Sequence, residues 1–199
     1  MCGRYRLSRE DLEKAAKLTG TEPDFLRLDM AERYNIAPMQ RVPVIRSGED
    51  TALHLQPMQW GLLPFWAKER SFGAKTINAR SETVADKPAF RDSFAKRRCL
   101  VPASGYYEWE TVGKNKQPWH FGHSDGSPMM FAGLWSMWTP SGEEPVESFT
   151  ILTTTPNAFT SRWHDRMPVI LPEDTWANWI DGAADDVAGL LNAEQRRHI

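Results

Sequence analysis

Apolar and polar residues alternate through residues 3–7 (GRYRL), which predicts a short strand. Residues 9–19 read as a helix. Ser8 can cap it, Glu10 and Asp11 sit in its first turn, and Gly20 ends it. Residues 34–47 read as loop then strand, punctuated by Pro38 and Pro43. Alternation returns over residues 52–60 (ALHLQPMQW), a strand interrupted at Pro57. From Trp60 to Arg80 the chain is rich in Gly, Pro and aromatics and has no clean period. Long irregular segments of this kind are often binding loops. A short amphipathic helix is expected over 89–97, then two strands around a Pro/Gly turn over 98–110. Further strands are expected at 129–135, 147–155 and 168–171, and helices at 173–180 and 184–192. The order is strand-rich with helices at intervals, not a regular βαβ alternation. The expected fold class is α+β, a single compact domain over 1–199 with a mixed, barrel-like β core flanked by helices.

Composition narrows the function classes. The 199 residues are 41% hydrophobic and 25% charged, which suits a folded domain and argues against disorder. The formal net charge of −2 rules out a basic field over the whole protein. A nucleic-acid site must therefore be a local patch. The run Lys96-Arg97-Arg98 could supply one, as could Arg4, Arg6, Arg33, Arg80 and Arg166; a merely solvated face explains the run equally well. Nine Trp residues is a high count; most would fill the core, and one or two near Arg residues could be stacking platforms. Cys2 and Cys99 form no C-x-x-C pair. His120 and His123 have metal-like spacing but no further ligand nearby, so no metal and no cofactor is assigned. The polar start MCGRYRLSRE does not read as a signal peptide, and no apolar run approaches the ~20 residues that span a membrane. A reducing cytoplasm is the expected compartment.

Four places could carry chemistry. Cys2 becomes N-terminal if Met1 is removed, and then bears an α-amine and a thiol on adjacent carbons. Such an aminothiol condenses with an aldehyde to a Schiff base, and the thiol then closes a five-membered thiazolidine. At ordinary pKa values, about 8 for the amine and about 8.5 for the thiol, a useful fraction of each is unprotonated. An inert Cys at a frayed terminus fits the same residues. Glu108, in GYYEWE, suits acid–base work if it points inward and is a routine strand carboxylate if it points outward. His164 stands in WHDRMP beside a carboxylate and a guanidinium, where it could move protons or simply decorate a turn. Asn78 could orient a substrate and Arg80 could hold a phosphate. Ser81 and Glu82 beyond them could start a helix.

Taken together, MCGRY (1–5), YNIAP (34–38), WGLLPFWAK (60–68), TINARSET (76–83), RRCLVPASGYYEW (97–109), FAGLW (131–135) and HDRMPVIL (164–171) closely resemble the SOS response-associated peptidases, the SRAP family of abasic-site processing proteins. The resemblance runs in order over nearly the whole chain. It implies a cleft that binds single-stranded DNA, including junctions with duplex, and a protein that acts as a monomer and gathers at the nucleoid when bound. It implies that Cys2, freed of Met1 by self-processing, forms a stable thiazolidine with the opened aldehyde of an abasic site. Asn78 then orients the amine, Glu108 is the acid–base partner and His164 aids the Schiff-base chemistry. Arg4, Arg80 and Arg166 match phosphate-holding positions, and Trp66 matches a region that packs on a base or sugar. Trp163 departs from the aliphatic residue expected before His164. The sequence also stops at Ile199, short of a C-terminal strand segment that many relatives carry.

Two other readings fit parts of the sequence. N-terminal-nucleophile amidohydrolases also begin Met-Cys-Gly, but they carry an Asn-Gly oxyanion motif and no Asn-Gly dipeptide occurs here. A non-covalent reader of single-stranded DNA would need the cleft without the cysteine. A general protease, with Cys2 or a Ser as nucleophile, is a third reading.

Overall fold

The computed structural model describes residues 2–22 and 32–191. Its strands are β1 (Tyr5–Leu7), β2 (Arg33–Ile36), β3 (Arg41–Ser47), β4 (Leu53–Trp60), β5 (Asn78–Arg80), β6 (Arg98–Ala103), β7 (Gly105–Val112), β8 (Asn115–Phe121), β9 (Met129–Trp138), β10 (Val146–Thr154) and β11 (Met167–Pro168). The helices are α1 (Arg9–Thr19), α2 (Arg91–Lys96), α3 (Trp176–Asp181) and α4 (Ala184–Val187). Strands β10, β4, β3, β6 and β9 pair in that order, and β9 pairs back to β10, so the five close into a barrel. A second sheet runs β2-β1-β7-β8. Tyr5 and Tyr106 of this sheet pack against Trp60 and Phe131 of the barrel, with ring centroids 5.3–6.2 Å apart, so both sheets share one core. The α+β, barrel-cored class expected from sequence is the one observed.

Helix α1 has the predicted bounds. The Ser8 side chain accepts from the Asp11 N–H, and Gly20 closes the helix in the left-handed region at φ 67°. Strand β4 differs from expectation, since Pro57 does not interrupt it. Pro57 stands opposite Pro43 of β3, and β10 pairs with β4 only at Gln59 and Trp60. Neither missing N–H falls where a ladder needs it. The irregular stretch after Trp60 hides two elements, a 3₁₀ turn (Arg70–Lys75) and β5, which runs parallel to β10. Gly61, at φ 124°, lets that stretch fold back on itself, because a Cβ there would lie 2.5 Å from the Gly73 carbonyl oxygen. Ser81 and Glu82 start no helix; residues 81–86 form turns. Strand β8 has no counterpart among the expected elements. Its residues 115–120 are all exposed, so no apolar period marks them. The 173–180 helix begins as a 3₁₀ turn (Glu173–Thr175) before α3, and residue 192 of the last expected helix lies outside the described residues.

The run Lys96-Arg97-Arg98 does not form a surface patch as a unit. Lys96 is exposed, but Arg98 turns inward. Its guanidinium donates to the carbonyls of Phe94 (2.7 Å) and Ala95 (3.2 Å) at the end of α2. It also donates to those of Trp179, Ile180 and Gly182 at the end of α3. One buried cation thus caps two helix C-termini, where carbonyls lack partners and the helix dipole favours positive charge. Arg98→Met is expected to cost about 3 kcal/mol or more, because several buried acceptors lose their donor at once. A shift in the urea midpoint equivalent to under about 1 kcal/mol would show that water replaces the guanidinium there.

Candidate functional site

Cys2 lies just before β1 and is fully buried. Burial, reinforced by the nearby charge of Glu108, pushes its thiol well above the ordinary range, and the Arg4 backbone N–H donating to the sulfur offsets this in part. The expectation that a useful fraction is thiolate at neutral pH does not hold in this setting, since a thiolate needs solvation that the site withholds. The thiol keeps its proton until a base takes it.

The carboxyl whose charge reaches that thiol is Glu108. Side chains alternate along β7, and those of Tyr106 and Glu108 face inward; Glu108 is only 4% exposed. Burial pushes its carboxyl up to about 7, with the negative charge of Asp165 acting in the same direction. At neutral pH this group is therefore close to half-protonated and can give or take a proton.

His164 stands between a 3₁₀ turn (Thr160–Arg162) and β11. Its Nδ1 is 2.7 Å from Asp165 Oδ1 and 3.0 Å from the Arg166 backbone N–H. These contacts are alternatives: Nδ1 donates to Asp165 when it carries the proton and accepts from Arg166 when it does not. Burial lowers the imidazole's pKa below its ordinary 6.5, so the neutral form prevails at pH 7.

Asn78 opens β5 beside Ile151 of β10, to whose carbonyl its Nδ2 donates at 3.4 Å. Its Oδ1 is buried and has no hydrogen-bond partner among the described residues. An orphaned acceptor is costly, and an incoming N–H or O–H donor would remove that cost.

The cationic and aromatic residues divide into three settings. Arg80, at the exposed end of β5, makes no ion pair among the described residues. Arg166 is committed within the protein: it grips Glu82 with two bonds of 2.6 and 2.8 Å and donates to the Thr153 carbonyl at 2.6 Å. Arg166 thereby pins the 81–86 turns and the His164 segment to the end of β10, and an external phosphate would have to displace Glu82. Arg4 donates to Asn35 Oδ1 at 3.1 Å, beside an open cleft of about 630 Å³ lined by Arg33, Tyr34, Asn35, Gln40 and Arg41. Trp66 is 44% exposed, packs edge-on to Phe72 at 5.3 Å, and borders a cleft with Trp138 next to the start of β10. Asn78 pairs near the other end of that strand, roughly five residues or about 16 Å away.

The structure thus brings Cys2, Glu108 and the His164–Asp165 segment into one electrostatic neighbourhood, with Asn78, Arg80 and Arg166 gathered at the end of β10 and Trp66 on the cleft beside Trp138. Two contributors escape a reading of the sequence. Nothing local marks Glu82 as the partner of Arg166. Trp119, opposite Glu108, lies on the strand that polar composition conceals. Among the described residues no three His, Cys, Asp or Glu side chains cluster as metal ligands.

The sequence matches the family described as SOS response associated peptidase (SRAP) over residues 1–198. It is 37% identical over 183 residues to the abasic site processing protein YoaM of Bacillus subtilis (strain 168), covering 91% of this chain and 79% of that one. Identity to the abasic site processing protein YedK of Escherichia coli (strain K12) is 32% over 182 residues, covering 90% and 79%. The fold also matches a crystal structure of a protein from Bacteroides thetaiotaomicron with a TM-score of 0.85, at 30% identity, over 96% of this chain and 86% of that one.

Proposed function

The chain belongs to the SOS response associated peptidase family, and from that premise we propose that it captures abasic sites in single-stranded DNA through a covalent bond to Cys2. The observation that carries this reading is the pairing of a buried Cys2 thiol with a carboxyl, Glu108, that burial has moved to about 7. The names of the relatives supply the substrate class.

Hydrolysis of the Met1–Cys2 peptide bond, which the protein performs on itself, frees the Cys2 amine. The abasic sugar opens when its ring oxygen gains a proton and its hydroxyl loses one, giving an aldehyde; half-protonated Glu108 serves both transfers. The amine adds to the aldehyde carbon and water leaves, forming an imine. The oxygen of Asn78 holds the amine in place, and neutral His164 accepts or returns protons at the carbinolamine. The thiol then adds to the imine carbon as its proton passes through Glu108 to the nitrogen. The sum is aldehyde plus aminothiol giving thiazolidine plus water.

Single-stranded DNA suits a chain with net charge −2, because a few arginines can track one backbone and no base pair need be broken. Junctions of single-stranded with duplex DNA are included in the proposal, as is a monomer working at the nucleoid in the cytoplasm. Two free cysteines, both buried, suit a reducing compartment.

The test is a denaturing gel of protein whose N-terminus is confirmed by intact mass as Cys2, mixed with an oligonucleotide bearing one abasic site or an intact thymine. A heat- and detergent-resistant shifted band is expected with abasic DNA alone, and its absence would sink the covalent reading. Arg80 gives an independent prediction. Arg80→Ala should weaken binding similarly across sequences and reduce the slope of log affinity against log salt by about one. An unchanged slope removes Arg80 from the phosphate contacts.

A further inference from the structure

An aromatic wall stands beside the reacting groups and takes no part in the steps above. Trp119 of β8 is directly opposite Glu108 of β7, so their side chains leave the same face of the sheet, with Cβ atoms about 5 Å apart. The Trp119 ring lies 5.6 Å from that of Trp163, the residue before His164. Trp163 in turn packs on Phe121 at 5.2 Å and Phe159 at 5.3 Å. Phe121 is buried and anchors the wall, whereas Trp119 and Phe159 remain 41% and 54% exposed. The Trp119 Nε1 donates to Glu110 at 3.0 Å, which fixes the plane of the indole. Arg162 lies over the Trp163 ring at 5.2 Å and 3.9 Å from Glu110, partly neutralising that carboxylate.

We propose that this wall, with Trp119 at its exposed end, is a subsite for a nucleobase flanking the abasic nucleotide. The inference rests on the abasic-site reading above. An abasic nucleotide offers its neighbours nothing to stack on, so the adjacent base has lost one face of its stack. An indole one cross-strand step from Glu108 is placed to replace the missing ring. Stacking tolerates any base, because every base has a π-face, and favours the larger purines. Arg162, exposed at the wall's rim, is placed to meet the phosphate of the stacked nucleotide.

The test uses oligonucleotides carrying a tetrahydrofuran residue, an abasic analogue with no aldehyde, so that binding is read without capture. The nucleotides on either side are adenines in one strand and further tetrahydrofurans in the other, and affinities are measured by fluorescence anisotropy. The parent protein is expected to bind the adenine-flanked strand about tenfold more tightly. Trp119→Ala should bring that ratio close to one, while Trp119→Phe, which keeps a ring and guards against a folding defect, should retain most of it. Equal binding of the two strands by the parent overturns the proposal, as does a Trp119→Ala protein that keeps the tenfold ratio. Covalent capture of an aldehyde-bearing strand is scored separately, and its failure would refute the capture chemistry without altering the stacking ratio.

Discussion

Cys2→Ala protein, processed so that the substituted residue is N-terminal, is expected to form no heat- and detergent-resistant complex with abasic DNA, yet to bind the strand non-covalently almost as the parent does. This is the largest effect expected of any substitution. The variant still offers an N-terminal amine, so it can form the imine. The imine is an electron sink, and from it the 3′ phosphate leaves by β-elimination and the strand breaks. In the capture proposed for the parent, the sulfur adds to the imine carbon and saturates it, so the sink disappears. The variant is therefore expected to convert a shielding protein into a nicking one, with a species that borohydride traps and an accumulating cleaved strand. The measurement is a pair of gels, denaturing for protein and sequencing for DNA. A resistant complex at parental yield without borohydride would show that the thiol is dispensable and would remove Cys2 from the mechanism. Ammonia release from glutamine by the parent would instead favour the amidohydrolase reading.

Glu108→Gln comes second. General acid–base groups contribute about 10² to 10⁴ in rate, so capture should slow by about 10² or more while affinity for the strand changes little. The pH dependence gives a sharper test. In the proposed mechanism ring closure needs Glu108 ionised to take the thiol proton, so parental capture should fall as pH drops below about 7, the carboxyl's value in the fold. The Gln variant should lose that limb. Stability should move in the opposite sense. The carboxyl is raised from an ordinary 4.5 to about 7, so between those values the folded protein binds more protons than the unfolded one. Stability therefore falls as pH rises through this window, and the cost of burying the charge is fully present above 7. That cost is about 3 kcal/mol at most. Glu108→Gln should thus be relatively more stable than the parent at pH 8 than at pH 4.5. Urea melts at the two pH values decide it. An equal difference at both would mean the carboxylate is solvated, and a loss of binding as large as the loss of rate would mean that Glu108 holds DNA.

Much of this protein was legible in the sequence because it depends on near neighbours. The cap at Ser8, the acidic first turn and Gly20 lie within one helix, and α1 has the bounds they imply. The break between β6 and β7 falls at Ser104, within the expected Pro/Gly turn. The motifs carrying Cys2, Asn78, Glu108 and His164 were readable as motifs, although the closeness of Cys2, Glu108 and Asp165 was not.

What tertiary structure alone decided are the contacts between residues far apart in the chain. Strand β5 has only three residues and exists because β10 lies beside it, 73 positions away. Strand β8 is polar along most of its length and is held by the ladder to β7, not by an apolar period. Pro57 is tolerated because β10 pairs with β4 only at Gln59 and Trp60, so no ladder partner needs the missing N–H. Arg98 looked like part of a surface run, and it turns inward to carbonyls as far as 84 residues on. Arg166 matches a phosphate-holding position in the sequence, and only the fold shows that it also grips Glu82, 84 residues away. The pKa values of Cys2 and Glu108 belong to the same class. Residue identity sets where each begins, but only burial fixes how far the charged form is penalised, and burial is a property of the closed barrel and the sheet packed on it.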